Sequence, residues 1–146
     1  MKWTPILCAA LLAGCGGMPK DPERTLERVQ ASRTFSVGLI AAGGPAVADR
    51  RHAFVRRVAE ATGARPAIEE GAAEPLLARL ERGELDLVVG AFAPKSPWAR
   101  QVTLLPPLGE QAGRGGPVVI AAAARNGENG WIALLHREAR AAAAAP

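Results

Sequence analysis

GELDLVVGAF, residues 83–92, is the stretch that decides the fold of this chain. It begins at a glycine that follows a helical pattern and continues into the apolar run from Leu87 to Val89, which ends at Gly90. A short apolar run between glycines is typical of a strand buried on both faces, as in a parallel α/β sheet. Because such sheets bind ligands at the carboxyl ends of their strands, we expect a binding site in residues 91–100.

Helical and strand patterns alternate on both sides of this strand. Two of the helical patterns end at glycines, Gly63 and Gly83, which suit the left-handed residue after a helix. The alternation predicts an α/β domain with three αβα layers and a mostly parallel sheet. Strands are predicted at residues 35–40, 66–70, 87–89, 102–105 and 117–121, and helices at 21–33, 46–62, 74–82 and around Trp131.

Three segments carry local predictions. Asp21 followed by Pro22 predicts the N-cap and first turn of the first helix. Two prolines in residues 93–100 predict irregular structure after the central strand. Residues 109–116 are polar and rich in glycine, which predicts a flexible crossing between two strands.

The first residues predict export and a lipid anchor. A lysine, an apolar run over residues 6–13 and small residues after it have the layout of a secretory signal. Residues 12–15, Leu-Ala-Gly-Cys, resemble the bacterial lipobox, in which the cysteine is acylated and the signal is removed before it. The resemblance implies a lipoprotein anchored through Cys15 on the periplasmic side of a bacterial membrane. The alternative is an ordinary secretory signal in which Cys15 has no role.

These boundaries divide the chain into four parts. Residues 1–14 are the predicted lipoprotein signal peptide, and 15–20 form a tether. Residues 21–140 form the single α/β domain, and 141–146 are an alanine-rich tail with no packing signal.

Charge and aromatic content argue against a nucleic-acid partner. The chain has 18 Lys and Arg residues against 14 Asp and Glu. Its arginines alternate with glutamates along helical stretches, which is typical of solvated helix faces. Aromatic residues make up 4% of the chain and Tyr is absent, whereas single-stranded nucleic acids are bound by stacking on aromatic side chains.

No pattern indicates catalysis, a metal or a cofactor. Ser32, Ser36 and Ser96 are not preceded by a nucleophile motif. His52 and His136 lie in unrelated contexts, with no Cys, His or carboxylate at metal-ligand spacing. We therefore expect a binding protein that is not an enzyme and has no cofactor.

The order of the elements resembles lobe one of the bacterial extracellular solute-binding proteins of family 3, which deliver amino acids to ABC importers. Residues 35–38, FSVG, resemble the first strand of that family, and residues 54–63 resemble its first helix. A leucine-rich helix, Gly-x-x-Asp and an apolar strand follow over residues 77–89. A strand, a glycine turn and a tryptophan-bearing helix over residues 118–137 resemble its closing segment. The resemblance implies one lobe of a periplasmic-binding-protein-like fold, with the second lobe missing.

The same resemblance implies a ligand site after the central strand. Residues 96–107 resemble the family's Thr-Pro-Glu-Arg segment and the Phe-Ser-x-Pro-Tyr segment after it, although the arginine is displaced by about two positions. The aromatic segment that usually follows the first strand is replaced by a glycine-rich turn, residues 41–45. That turn is either a phosphate loop or a plain tight turn, and neither GxGxxG nor GxxxxGK[ST] is present. The candidate ligand-binding residues are Gly43, Phe92, Ser96, Trp98 and Arg100.

Each side chain of the segment after the central strand has two interpretations. Arg100 either binds a ligand carboxylate with both arms of its guanidinium or is a solvated loop cation. Ser96 is either a ligand hydroxyl or a cap of a turn. Trp98 either stacks on a ligand or covers the end of the sheet.

Two functions remain open at this point. The first is a membrane-anchored solute-binding lipoprotein that binds a small polar or carboxylate solute, amino-acid-like, for an ABC-type permease. The second is a non-catalytic module of the cell envelope that has lost solute binding and docks on another envelope protein. Exposed apolar surface where a second lobe would sit favours the second function.

Overall fold

The computed structural model describes residues 21–145. The predicted signal peptide, the tether and Cys15 lie outside the described residues, as does Pro146. The helices are α1 (Thr25–Ser32), α2 (Gly44–Thr62), α3 (Ala73–Glu81) and α4 (Asn129–Ala143), with a 3₁₀ turn over Pro97–Arg100. The strands are β1 (Thr34–Ile40), β2 (Arg65–Gly71), β3 (Leu87–Phe92), β4 (Val102–Leu104), β5 (Gly109–Gly113) and β6 (Gly116–Arg125).

All six strands belong to one sheet. Five of them follow one another in the order β2-β1-β3-β6-β4, and β5 also pairs with β6. β1 pairs in parallel with β2 on one side and with β3 on the other. β6 is antiparallel to β3, and its free edge pairs with β4 at one end and with β5 at the other. Five strands therefore point the same way and β6 runs against them, so the predicted mostly parallel sheet is confirmed.

Each face of the sheet is covered by its own apolar cluster. In β1, Val37 and Leu39 belong to one cluster while Ile40 belongs to the other, as the two-residue period of a strand requires. The first cluster contains side chains of α1, α2 and α4, and the second contains the leucines of α3. Helices thus lie on both faces, which is the predicted three-layer αβα arrangement.

Trp131 ties α4 to the sheet. It is 1% exposed, and its ring meets that of Phe35 edge-on at a centroid distance of 5.9 Å. Its Nε1 donates a hydrogen bond of 2.7 Å to the carbonyl oxygen of Asp86, just before β3. The Asp86 carboxylate is also buried, where it accepts from the backbone N–H of Ser36 and pairs with Arg28 of α1. Asp86 therefore joins α1, β1, β3 and α4, away from the carboxyl ends of the parallel strands.

The predicted start of the first helix is wrong. α1 begins at Thr25, and the carboxylate of Asp21 instead accepts a hydrogen bond of 2.6 Å from the N–H of Gly130, in the first turn of α4. The start of α1 is in turn held by Glu128, whose two carboxylate oxygens accept from the N–H groups of Glu23 and Thr25. A residue before each helix thus caps the other helix: Asp21 caps α4 and Glu128 caps α1. Each cap satisfies an N–H group that a helix leaves free.

Two loop predictions also need correction. Residues 109–116 are not a flexible crossing, because β5 and β6 form a hairpin in which Gly113 pairs with Gly116. The segment after β3 is not wholly irregular, because Pro97 starts a 3₁₀ turn, where its missing N–H costs nothing. The predicted alanine tail is partly helical, since α4 continues through Ala143.

Candidate functional site

The carboxyl ends of β1, β2 and β3 meet at one edge of the sheet because the three strands are parallel. The ends of β1 and β2 are joined by a hydrogen bond of 2.9 Å from the Ala41 N–H to the Gly71 carbonyl. β1 and β3 approach closely there, since a Cβ on Gly90 would lie 2.5 Å from the Cβ of Ile40. We call this the carboxyl edge. The turn after β1 and the segment after β3 both start from it.

The turn after β1 leads directly into α2. Gly43 is the N-cap and has a φ of 102°, and Gly44 has a φ of 75°, a range that favours glycine. A Cβ on Gly43 would lie 2.6 Å from Val47, whereas a Cβ on Gly44 would meet nothing within 4 Å. Gln111 of β5 donates to the Gly43 carbonyl at 3.1 Å. The start of α2 is therefore pinned on the β5 side and open at Gly44.

The segment after β3 places its predicted ligand residues in different surroundings. Phe92, the last residue of β3, is 6% exposed in the second apolar cluster. Ser96 caps the 3₁₀ turn by accepting from the Trp98 N–H at 3.4 Å. Trp98 is half-buried and packs against the same cluster as Phe92, at the end of the sheet. The capping role of Ser96 and the covering role of Trp98 were both among the predicted alternatives.

Arg100 ends the 3₁₀ turn with an exposed side chain. Its backbone is held by Asn126, whose Nδ2 donates to the Arg100 carbonyl at 3.2 Å. Asn126 is itself oriented by a hydrogen bond of 2.7 Å from the Thr103 hydroxyl. The structure therefore fixes the backbone of Arg100 and leaves its guanidinium at the surface.

Among the described residues, the charged side chains with a shifted pKa lie at the edge of the sheet opposite the carboxyl edge. A hydrogen bond from Arg82 lowers the pKa of Glu84, and the same bond raises the pKa of Arg82. Both residues are exposed and precede β3, at its amino end. Within residues 21–145, no group of three or more His, Cys, Asp or Glu side chains is placed to hold a metal ion.

A separate pocket of 340 Å³ lies between α2 and α4. Arginines dominate its polar lining, and none of the predicted ligand residues belongs to it. A shallow depression of 470 Å³ covers the β5–β6 hairpin and includes Gln111 and Glu110. Through Gln111 this depression borders the turn at Gly43.

The chain has no match among protein-family models or curated proteins. Solved structures do match. A point mutant of arginine-bound domain 1 from TmArgBP, the arginine-binding protein of T. maritima, is similar with a TM-score of 0.66 and 15% identity, over 80% of this chain and 96% of that one. A periplasmic binding protein of high arginine specificity from Salmonella typhimurium has a TM-score of 0.64 and 10% identity, over 78% and 95%. An L-arginine-bound amino-acid ABC transporter substrate-binding protein from Streptococcus pneumoniae has a TM-score of 0.66 and 10% identity, over 80% and 90%.

The chain has the fold of a periplasmic-binding-protein lobe. The neighbours are amino-acid-binding proteins, so the predicted resemblance is confirmed for the fold. In this lobe, the carboxyl edge is the edge at which we expected a ligand. No helix in residues 21–145 is long and apolar enough to cross a membrane.

Arg51 is the residue of this lobe that sequence reasoning missed. It is 5% exposed on α2, and its Nη1 donates to the Ile40 carbonyl at the carboxyl edge. The signal was in the helical spacing, because Val47, Arg51, Phe54 and Val58 follow one another at intervals of three and four residues. A cation in that series is placed on the core face by its position alone.

Proposed function

We propose that this protein is a membrane-anchored solute-binding lipoprotein without catalytic activity. The lobe formed by residues 21–140 binds a small polar solute with a carboxylate, amino-acid-like, for an ABC-type transporter. The observation that carries the proposal is the fold match to arginine-bound domain 1 from TmArgBP, which is itself an arginine-bound single domain. A lobe of this size offers half of a closed pocket, so the bound solute stays partly in water and its affinity is weak unless a partner or a second copy completes the site.

Arg100 is the proposed carboxylate ligand of this site. Its guanidinium is exposed just before β4, whose start pairs with the end of β6 at the amino ends of the parallel strands, and its backbone is held in place by Asn126. Arginine suits a carboxylate because its N–H groups match the two oxygens of that group. The solute would lie against the segment between β3 and β4, which ends beside Arg100.

Ligand binding is tested by the thermal shift of the purified protein in detergent against amino acids, small carboxylates and inorganic anions. A ligand at ten times its Kd stabilises the folded state by about 1.4 kcal/mol and raises the Tm by a few degrees. We expect such a shift with at least one carboxylate, and we expect Arg100→Ala to abolish it. Arg137→Ala, which removes an exposed arginine from α4, serves as the matched control and should bind like the original protein.

No shift with any solute, in a protein that melts cooperatively, would contradict solute binding and favour the alternative of an envelope interaction module. The surface of the lobe does not favour that alternative. Ile68, at the outer strand β2, is the one large hydrophobic side chain of residues 21–145 with substantial exposure, at 45%. Ile68 lies on β2, whereas a second lobe would cover the carboxyl edge.

The lipid anchor is tested by replacing Cys15. We expect Cys15→Ser to remove labelling by radioactive palmitate and to release the protein from the membrane fraction, because acyl chains contribute about 0.8 kcal/mol for each buried methylene. Cys8→Ser is the control. Residue 8 lies inside the predicted signal peptide, so this substitution should leave labelling unchanged. Equal labelling of the original protein and Cys15→Ser would contradict the lipobox.

A further inference from the structure

The pocket between α2 and α4 lies apart from the segment that carries Arg100. Three arginines of α2 line it, and we call this the arginine pocket: Arg50, Arg56 and Arg57. Its volume of 340 Å³ is in the range of small-molecule sites. Phe54 and Leu108 supply apolar walls. The arginine pocket therefore combines the size of a ligand site with several cations from one helix.

Arg50 is held in the arginine pocket by the backbone before β5. Its Nη1 donates to the Leu108 carbonyl at 2.8 Å. Its guanidinium lies against Gly109, where a Cβ would collide with it, so the absence of a side chain there makes room for the cation. Because a guanidinium has five N–H donors, this one bond leaves further donors on Arg50.

The carboxylates near the arginine pocket do not balance its arginines. Arg57 pairs with Glu138 at 3.3 Å, and its Nε is buried without an acceptor among residues 21–145. Arg50 and Arg56 form no ion pair with a carboxylate in that range, and Glu60 is the carboxylate in the lining. Three cations thus face two carboxylates, which leaves a net positive charge and favours an anion from outside.

We propose that the arginine pocket binds a phosphate group, carried by a small soluble phosphate or by a phospholipid headgroup. One guanidinium satisfies both oxygens of a carboxylate, whereas a phosphate has oxygens on several sides and can be shared by arginines that reach it from different directions. The apolar walls suit the organic part of such a ligand. The predicted anchor at Cys15 would hold the lobe beside headgroups. Arg100 is not part of this pocket, so the inference does not depend on the proposed solute binding.

The test is isothermal titration of the purified protein in a nonionic detergent. Inorganic phosphate and glycerol phosphate probe the soluble source. Dihexanoylphosphatidylglycerol probes the lipid source, and dihexanoylphosphatidylcholine, which has the same chains and no net charge, is its control. We expect saturable binding of a soluble phosphate or of phosphatidylglycerol that weakens as salt is raised. Acetate should bind more weakly than the phosphate that binds.

Four variants locate the binding. Arg56→Gln should lower the affinity about tenfold, because it removes a charge-assisted hydrogen bond. Gly109→Ala should also lower it without removing a cation, because the new Cβ displaces the guanidinium of Arg50. Glu60→Gln should instead raise the affinity, since it removes a carboxylate from the lining. Arg140→Gln is the matched control, because Arg140 is an exposed arginine of α4 outside the lining and should leave the affinity unchanged.

The outcomes identify the source and separate this inference from the proposed function. Binding of a soluble phosphate that weakens in Arg56→Gln supports the pocket and identifies a soluble ligand. The same loss with phosphatidylglycerol alone supports the pocket and identifies the membrane. Absence of binding by every phosphate, equal binding of the two lipids with none of the soluble phosphates, or unchanged affinity in both Arg56→Gln and Gly109→Ala would overturn the inference. Arg100→Ala should keep phosphate binding, and its loss there would overturn the assignment to this pocket.

Discussion

Trp131→Ala is expected to lower the free energy of unfolding by about 3–5 kcal/mol, the cost of truncating a fully buried aromatic side chain. Trp131 is 1% exposed, contacts the Phe35 ring edge-on and donates to the Asp86 carbonyl at 2.7 Å. The truncation removes the packing between α4 and β1. It also leaves a buried carbonyl without its donor, which adds to the loss.

Trp131→Phe separates the two contributions. It keeps most of the ring packing and removes the indole N–H, so we expect a smaller loss of about 1–3 kcal/mol. Because both variants remove a fluorophore, unfolding in urea is followed by far-UV circular dichroism. Trp98→Ala is the control, since Trp98 is half-buried at the sheet end and should cost less than Trp131→Ala. An equal loss from the two tryptophans would show that Trp131 does not hold α4 on the sheet.

Glu128→Ala is expected to have the second largest effect, a loss of about 2–4 kcal/mol in the free energy of unfolding. Glu128 is 1% exposed, and its two oxygens accept from the N–H groups of Glu23 and Thr25 at 2.8 and 2.9 Å. Without the carboxylate, both N–H groups at the start of α1 lose their partner. The helix has eight residues, so it cannot compensate from within.

Glu128→Gln should fall between the original protein and Glu128→Ala, because an amide keeps one acceptor oxygen and faces the second N–H with a donor. Urea unfolding gives the stability. Hydrogen exchange of the α1 amides gives a second measure, and we expect it to rise in both variants. Glu27→Ala is the control, since Glu27 is exposed in the first turn of α1 and should cost only a few tenths of a kcal/mol. Unchanged exchange in α1 would contradict the cap.

The helices and strands that the sequence predicts correctly are those with strong local patterns. The apolar run from Leu87 to Val89 is buried on both faces, and the helical pattern before Gly63 is α2. These predictions succeed because the strand and helix periods are visible in neighbouring residues. β5 has no such pattern, since its glycines and polar residues bury little and its partner is the start of β6.

The carboxyl edge could be predicted from the sequence, but the place of Arg100 could not. The carboxyl edge follows from parallel strands, whereas Arg100 lies just before β4, whose start pairs with the end of β6 at the amino ends of those strands. Arg51 was missed because an arginine is expected at the surface unless a fold buries it. Asp21 was assigned to the wrong helix because the helix it caps begins more than a hundred residues later in the chain.

The sequence by itself determined the α/β class, the helices and strands with clear periods, the order of the layers and the segment in which to search for a ligand. It also supports the lipid anchor at Cys15, which stays a prediction. Only the tertiary structure decided the antiparallel place of β6, the mutual caps of Asp21 and Glu128 and the position of Arg100 beside the start of β4. The physical reason is distance along the chain. Periodicity is a property of neighbouring residues, whereas strand order and caps between helices depend on which distant segments the fold brings together.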